Sequence, residues 1–410
     1  MQDIFIIGGG ASGLVASIYA KCENNRVTIL EKNHFIGKKI LVTGNGRCNY
    51  WNSDQNIDHY HSANKDILEE ILTLDNQEEI LSFFDKIGII PKIKNGYYYP
   101  SSNQARTILN ALETEIRKRD IEIKCDTNVI NIRKEGDKFL IITETDEYFL
   151  ADKVILATGS KAYYQGEINS YDLALNFNHS IVPVNPALVQ LITAKAPYLH
   201  QWSGIRTDVE LSLTYEDTLV KKESGEIQLT DYGVSGICVF NISGLLNKHK
   251  IRKYQLLLNF VPFIKEDILS WLDKQNKKLY ARTIGELLEG ILPSKLVSVI
   301  LSQSELSYDL VWDNLSEEQK SNLGLFLTTF PLEIVDTKGY DMAQVCSGGV
   351  ALIEINPTTC ESFIENGLYI TGEVLDVFGD CGGYNLGFAW ISGMLAGKGC
   401  RNDSDKTNKN

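Results

Sequence analysis

The sequence predicts an α/β fold of two or three domains, and three features carry that expectation. The chain opens on an apolar run, a glycine-rich turn, a helical stretch and a second apolar run. Its middle changes to strand-like and then helical patterns, and its end returns to a glycine-rich turn before a helix. At 410 residues it exceeds what one simple hydrophobic core usually serves.

Taken in order, Ile4-Phe5-Ile6-Ile7 has the length and composition of a buried parallel strand. Gly8 to Gly13 forms the turn, Leu14 to Cys22 the helix, and Val27 to Leu30 the second strand. A glycine-containing segment, Gly37 to Asn49, follows. Leu68 to Ile87 shows helical spacing, and Asn103 to Arg119 puts Ile108, Leu109, Leu112 and Ile116 on one stripe. From Ile121 to Leu150 short strands alternate, ending in the apolar run Val154 to Ala157. The character changes near Pro183 and Pro186. Strand-like runs then include Val209 to Tyr215 and Tyr254 to Phe260, and residues 266–303 are helical in pattern. Strand character returns at Leu332 to Val335; the last helix spans Leu386 to Ala396, and Arg401 to Asn410 reads as a disordered polar tail.

Composition removes several function classes. A hydrophobic content of 43% and a charged content of 23% are those of a globular protein. The net charge of -13 opposes a nucleic-acid partner, which needs clustered Lys and Arg. No apolar run approaches the roughly 18 residues of a membrane span, and Met1-Gln2-Asp3 lacks the positive start of a signal peptide. Cys22, Cys48, Cys125, Cys238, Cys346, Cys360, Cys381 and Cys400 form no CxxC pair, and the six histidines show no ligand spacing. No metal or disulfide framework is expected, and the compartment is a reducing cytoplasm. Oligomeric state is not legible.

Gly8-Gly9-Gly10-Ala11-Ser12-Gly13 fits GxGxxG between a strand and a helix. Gly8 permits the tight turn, Gly10 lets backbone approach a pyrophosphate, and Gly13 allows close helix–strand packing. The helix N-terminus adds free N–H groups and a positive dipole end. Glu31 ends the second strand 18 residues after Gly13, where a carboxylate can accept ribose hydroxyls. This marks a Rossmann-like dinucleotide site for FAD or NAD, and the acid disfavours NADP there. FAD is favoured by the late stretch Gly372-Glu373, Asp376, Gly382 and Gly383 before the last helix. Such a segment can return an acid to the sugar alcohol and point a helix N-terminus at the flavin, where reduction develops negative charge. A plain structural turn is the alternative.

Longer motifs carry a family resemblance. Gly37-Lys38-Lys39-Ile40-Leu41-Val42-Thr43-Gly44-Asn45-Gly46-Arg47-Cys48-Asn49 resembles the GKKxxxTGxGRCN signature of the BaiN-like, or aminoacetone-oxidase-like, FAD-binding flavoproteins. Tyr99-Pro100-Ser101, Ala157-Thr158-Gly159, Cys346-Ser347-Gly348-Gly349 and Gly382-Gly383-Tyr384-Asn385 extend it along the chain. The resemblance implies a discontinuous FAD domain interrupted by a β-rich, barrel-like domain and a small helical one. The expected boundaries are 1–185 and 336–400 for the FAD domain, 186–264 and 304–335 for the β-rich part, 265–303 for the helical part. By similarity, FAD contacts fall on Gly8, Gly10, Ser12, Gly13, Glu31, Lys39, Gly46, Arg47, Cys48, Asn49, Thr158, Gly159, Gly372, Glu373, Asp376, Gly383 and Asn385. Val129 is added for backbone bonds to adenine; Ala11, Lys32, Gly44, Ala157, Gly382, Tyr384 and Leu386 complete the candidate set.

The sequence departs from the family pattern at Ser160, at Gln165 to Tyr171, at Asp231 and Ile237, and at Cys346 and Asp380, where Thr and Pro are usual. These changes bear on substrate identity. Arg47 is the candidate for an electrostatic role, or else a phosphate or backbone clamp. Tyr384 is the candidate proton donor, or else a packing ring. Cys48 and Cys381 read as small packing residues. The expected activity is hydride transfer between FAD and a small organic substrate, with a steroid-like enone as one class and NADH or NADPH as a transient donor. An oxidase passing electrons to oxygen stays open, and so does a flavin-bearing protein of macromolecule binding or tRNA modification.

Overall fold

The computed structural model describes residues 1–162, 171–279 and 282–401, apart from the Lys248 side chain. The altered loop from Gln165 and the polar tail beyond Arg401 lie outside those residues. The chain divides into two compact units, Met1–Val184 with Val345–Asn410, and Asn185–Gln344.

The first unit is built on a five-stranded parallel sheet in the order Leu368–Ile370, Lys153–Leu156, Gln2–Ile7, Asn25–Leu30, Glu122–Lys124. The apolar run Ile4 to Ile7 is buried because its strand is central and covered on both faces. The next two sheet strands in the chain add on one side of Gln2–Ile7, and the later two on the other. The C-terminal end of Gln2–Ile7 is therefore the topological switch point, where open α/β sheets bind ligands. The glycine turn sits there.

Helix Ala11–Ala20 begins three residues before the expected Leu14, since Gly10 serves as its N-cap. The last helix, Tyr384–Gly399, also starts earlier than Leu386, directly on Gly383. These two helices pack closely along small residues. A Cβ at Gly393 would strike the Ser12 carbonyl, and one at Gly397 would come within 2.5 Å of the Ala16 carbonyl oxygen. Leu68 to Ile87 is two helices, Lys65–Ile71 and Leu74–Lys86; the Thr73 side chain accepts from Asn76 N–H at 3.3 Å and starts a new helix.

In the second unit Leu191–Thr193, Gly233–Ser235, Thr218–Leu229, Arg206–Tyr215, Tyr254–Asn259 and Phe330–Thr337 form a closed barrel. Closure removes the exposed edges that a six-stranded open sheet would carry. Ile268–Lys278, Ile284–Glu289 and Ser294–Gln303 are helices, and a further helix, Glu317–Thr328, lies within the stretch 304–335. A Ser316–Gln319 capping box starts it, a signal present in the sequence as Ser-x-x-Gln. The fold is thus α/β, a Rossmann-type domain interrupted by a β-barrel insert with helices.

Among the described residues no helix is long and apolar enough to cross a membrane.

Candidate active site

The glycine turn is shaped residue by residue. Gly8 adopts φ +111°, and a Cβ there would run into the Ala157 carbonyl, so only glycine fits. Gly9 N–H donates to Glu31 Oε2 at 2.7 Å. Gly10 is extended, and a Cβ on it would meet nothing within 4 Å: the space before the helix is open. Gly13 lies so close to the strand that its Cβ would strike the Gly8 carbonyl. The helix has no side-chain cap and no acid in its first turn, which leaves its N-terminal amides facing that space.

A groove opens from this turn. It is lined by Gly8, Gly9, Gly10, Glu31, Lys32, Asn33, Lys38, Lys39, Thr127, Asn128, Val129, Ala157, Thr158, Gly159, Ser160 and Glu373, among others. Glu31 is buried; its Oε1 accepts from Asn33 N–H at 2.8 Å while Oε2 takes Gly9. Oε1 also accepts from Asn33 Nδ2 at 2.5 Å, so it is Oε2 that keeps a further lone pair for a donor in the groove. Lys39 Nζ meets Glu373 Oε2 at 2.5 Å, and Ser160 Oγ donates to the same oxygen at 3.2 Å. Ser160, one of the departures from the family pattern, therefore helps hold the groove's acid. Ten sequence-selected residues line the groove. Gly9, Asn33, Lys38, Thr127, Asn128 and Ser160 were missed, and all of them lie within two positions of a selected residue in the chain.

A second group gathers at the start of the last helix. A Cβ at Gly383 would lie 2.7 Å from the Trp51 carbonyl and 3.1 Å from Asn49 Oδ1, so the Cys48–Asn49 segment and the late glycines are in contact. Asn52 Nδ2 donates to the Gly382 carbonyl at 3.0 Å. Asn49 Oδ1 is buried with no hydrogen-bond partner, an orphaned acceptor of the kind that native interiors rarely leave. Gly372 touches the Ser12 side chain, and Ser12 Oγ lies 3.5 Å from the Thr371 carbonyl.

Several candidates have other work. Asn385 closes its own loop: its Oδ1 accepts from Gly379 N–H and its Nδ2 donates to the Gly379 carbonyl, both at 2.8 Å. Leu386 packs on the core. Asp376 Oδ2 accepts from Ala63 N–H at 3.0 Å, and burial raises its carboxyl above the ordinary range. Cys48 is fully buried in a left-handed conformation, and burial pushes its thiol up to about 12. Gly44 and Gly46 are left-handed as well and turn the chain into that cysteine. Arg47 is exposed beside Tyr99 and does not line the groove.

Tyr384 is buried, stacked on the His59 ring at 4.6 Å and edge-on to Tyr60 at 5.6 Å. Burial raises its phenol above the ordinary value. This environment suits the packing ring, not the proton donor. Among the described residues no group of three or more His, Cys, Asp or Glu could hold a metal.

Residues 2–399 match the family described as HI0933-like protein Rossmann domain. The 3-dehydro-bile acid delta(4,6)-reductase of Clostridium scindens is 38% identical, over 97% of this chain and 98% of the relative. The ribosomal RNA dihydrouridine synthase of Escherichia coli is 27% identical, over 95% of this chain and 96% of the relative. The solved 3-ketosteroid-delta4-(5alpha)-dehydrogenase of Rhodococcus jostii aligns with a TM-score of 0.48 at 14% identity, covering 97% of this chain and 96% of that one. With the family match spanning nearly the whole sequence and a full-length relative at 38% identity, the chain belongs to the HI0933-like Rossmann family.

Proposed function

We propose that this protein is an FAD-dependent oxidoreductase that transfers hydride between the flavin and a small organic substrate, reducing the C=C bond of a steroid-like or bile-acid-like enone. The observation that carries the cofactor reading is the open groove at the switch point, running from the glycine turn past Glu31 and Val129 to Gly159. The residues present fit FAD. Gly10 faces open space where a diphosphate would approach backbone amides, and Asn49 Oδ1 waits for a donor beside Gly383. FAD, once bound, supplies the hydride chemistry.

The chain's own residues do the holding. Gly8 to Gly13 and the first helix's amides take the phosphates, and Glu31 accepts from the adenosine ribose. Lys39 is placed to exchange its Glu373 partner for an anionic group, and Ser160 keeps Glu373 in position meanwhile. The residue proposed for a direct electrostatic role is Arg47, which would attract an anionic group, and Tyr384 is proposed as the ring that packs on His59 and Tyr60.

The substrate class is supported by the 38% identical relative, whose name specifies a bile-acid reductase. NADH or NADPH is the proposed donor, the compartment is cytoplasmic, and nucleic acid is not a partner. A second reading, a flavin protein acting on RNA, is supported by the 27% identical dihydrouridine synthase. The net charge of -13 weighs against it, because a polyanion is repelled.

Stopped-flow mixing of the FAD-loaded protein with NADH and NADPH tests the proposal. One donor should bleach the flavin band rapidly, and a 4-en-3-one steroid should then restore it. No bleaching by either donor would contradict a reductase. Recovery with RNA and not with the enone would favour the second reading.

A further inference from the structure

We infer that Asp380, His59 and Asp54 form a clamp that positions the glycine loop before the last helix, and that the protonation of His59 sets how firmly this loop holds FAD. The inference rests on the FAD reading above. Strand Tyr60–His61 pairs with Phe378–Gly379, with Phe378 opposite His61 and Gly379 opposite Tyr60. That pairing delivers two imidazoles to one carboxylate. His59 Nδ1 lies 3.2 Å from Asp380 Oδ2, and His61 Nε2 lies 3.1 Å from Asp380 Oδ1. Asp380 N–H donates back to the His59 carbonyl at 2.8 Å. Asp380 is one of the positions at which the sequence departs from the family pattern.

His59 has a second acid. Its Nε2 lies 3.3 Å from Asp54 Oδ2, so both ring nitrogens face carboxylate oxygens. A neutral imidazole carries one N–H and one lone pair; only the imidazolium donates from both nitrogens. Deprotonation must turn a lone pair towards one of the two carboxylates. His61 meets Asp380 through Nε2 alone and can satisfy that contact in the neutral form.

The burial gradient gives the clamp direction: the Asp54 side chain is 65% exposed, His59 34% and Asp380 6%. The fixed, buried end is in the loop. From Asp380 the chain runs through Cys381 to Gly382, whose carbonyl Asn52 holds, and to Gly383 beside the orphaned Asn49 Oδ1. The His59 ring also stacks on Tyr384, the first residue of the last helix. Losing the His59 contacts would loosen the loop and the helix start together. The titratable groups around this cluster are Asp54, Asp380, His61, Tyr60, Tyr97 and Tyr384.

His59 and Asp380 are positioning residues, so the test must read more than activity. Titrating apoprotein with FAD by flavin fluorescence should show binding about fivefold tighter near pH 6 than near pH 8.5, since charged hydrogen bonds are roughly twice as strong as neutral ones and half-exposed pairs are screened. His59→Gln and Asp380→Asn should each flatten that dependence, and His61→Gln should leave most of it. In the apoprotein, imidazole nitrogen NMR should report hydrogen bonds at both His59 ring nitrogens, and Asp380→Asn should move the Nδ1 signal.

A wild-type affinity that does not change with pH would overturn the inference. So would an unchanged slope in Asp380→Asn that is folded by circular dichroism, or a His59 signal indifferent to that substitution. Absence of FAD binding at every pH would instead overturn the cofactor reading, and the apoprotein NMR would still decide the clamp.

Discussion

Replacing Gly10 by Ala separates folding from cofactor binding. Gly10 has φ -85° and ψ -168°, a conformation open to alanine, and its added methyl would meet no atom within 4 Å. The apoprotein should keep its stability within about 0.5 kcal/mol, because the narrower unfolded ensemble of alanine is offset by its poorer fit at the helix N-cap. The methyl would stand where a diphosphate must approach the helix N-terminus. Losing one charge-assisted hydrogen bond costs about 1.5–3 kcal/mol, or roughly 10- to 150-fold in affinity. Gly13→Ala is the opposite case. Its Cβ would collide with the Gly8 carbonyl and sit 3.2 Å from the Ala157 Cβ, which should destabilise the fold by about 1–3 kcal/mol. Urea unfolding of the apoproteins, run beside flavin fluorescence titrations, reads both quantities. Wild-type FAD affinity in Gly10→Ala would refute the reasoning, as would a stability loss equal to that of Gly13→Ala.

Three further outcomes follow from the site. Glu31→Gln must point an amide NH2 at either the Gly9 or the Asn33 N–H, so urea melts should show a loss of about 1–3 kcal/mol; unchanged stability would count against the buried carboxylate's role. Burial raises the Asp376 carboxyl, so the folded state holds that proton more tightly than the unfolded chain does. Asp376 therefore lowers stability as pH rises through and above the ordinary carboxylate range, and Asp376→Asn should remove this decline in pH-dependent unfolding while keeping an acceptor for Ala63. Tyr384→Phe keeps the ring stacked on His59 and should leave the rate of flavin reduction within about threefold, whereas Tyr384→Ala should cost about 3–5 kcal/mol of stability. A large rate loss in Tyr384→Phe would restore the phenol as proton donor.

The parts of this molecule that were legible in the sequence are those set by short-range chemistry. The apolar run Ile4 to Ile7, the glycines at 8, 10 and 13 and the acid at Glu31 lie close together in the chain, and each has one physical role at its spacing. The late glycines were legible for the same reason. Long-range packing was not. Asn385 turns its amide onto Gly379, and Tyr384 is buried against His59 and Tyr60, because strand Tyr60–His61 pairs with Phe378–Gly379. His61 and Asp380 are 319 positions apart, and no local pattern announces that they meet. The break at Thr73 and the helix starting at Glu317 did carry local signals, a Thr cap and a Ser-x-x-Gln box, but apolar periodicity alone does not weigh them.

The most direct measurement is the chemical identity of the bound cofactor. Purified protein should be yellow, and heat release followed by chromatography should return FAD in stoichiometric amount, with its adenosine half intact. Recovery of FMN, or a colourless protein whose apo form takes up no FAD on reconstitution, would contradict the assignment of the groove between Gly10 and Glu31.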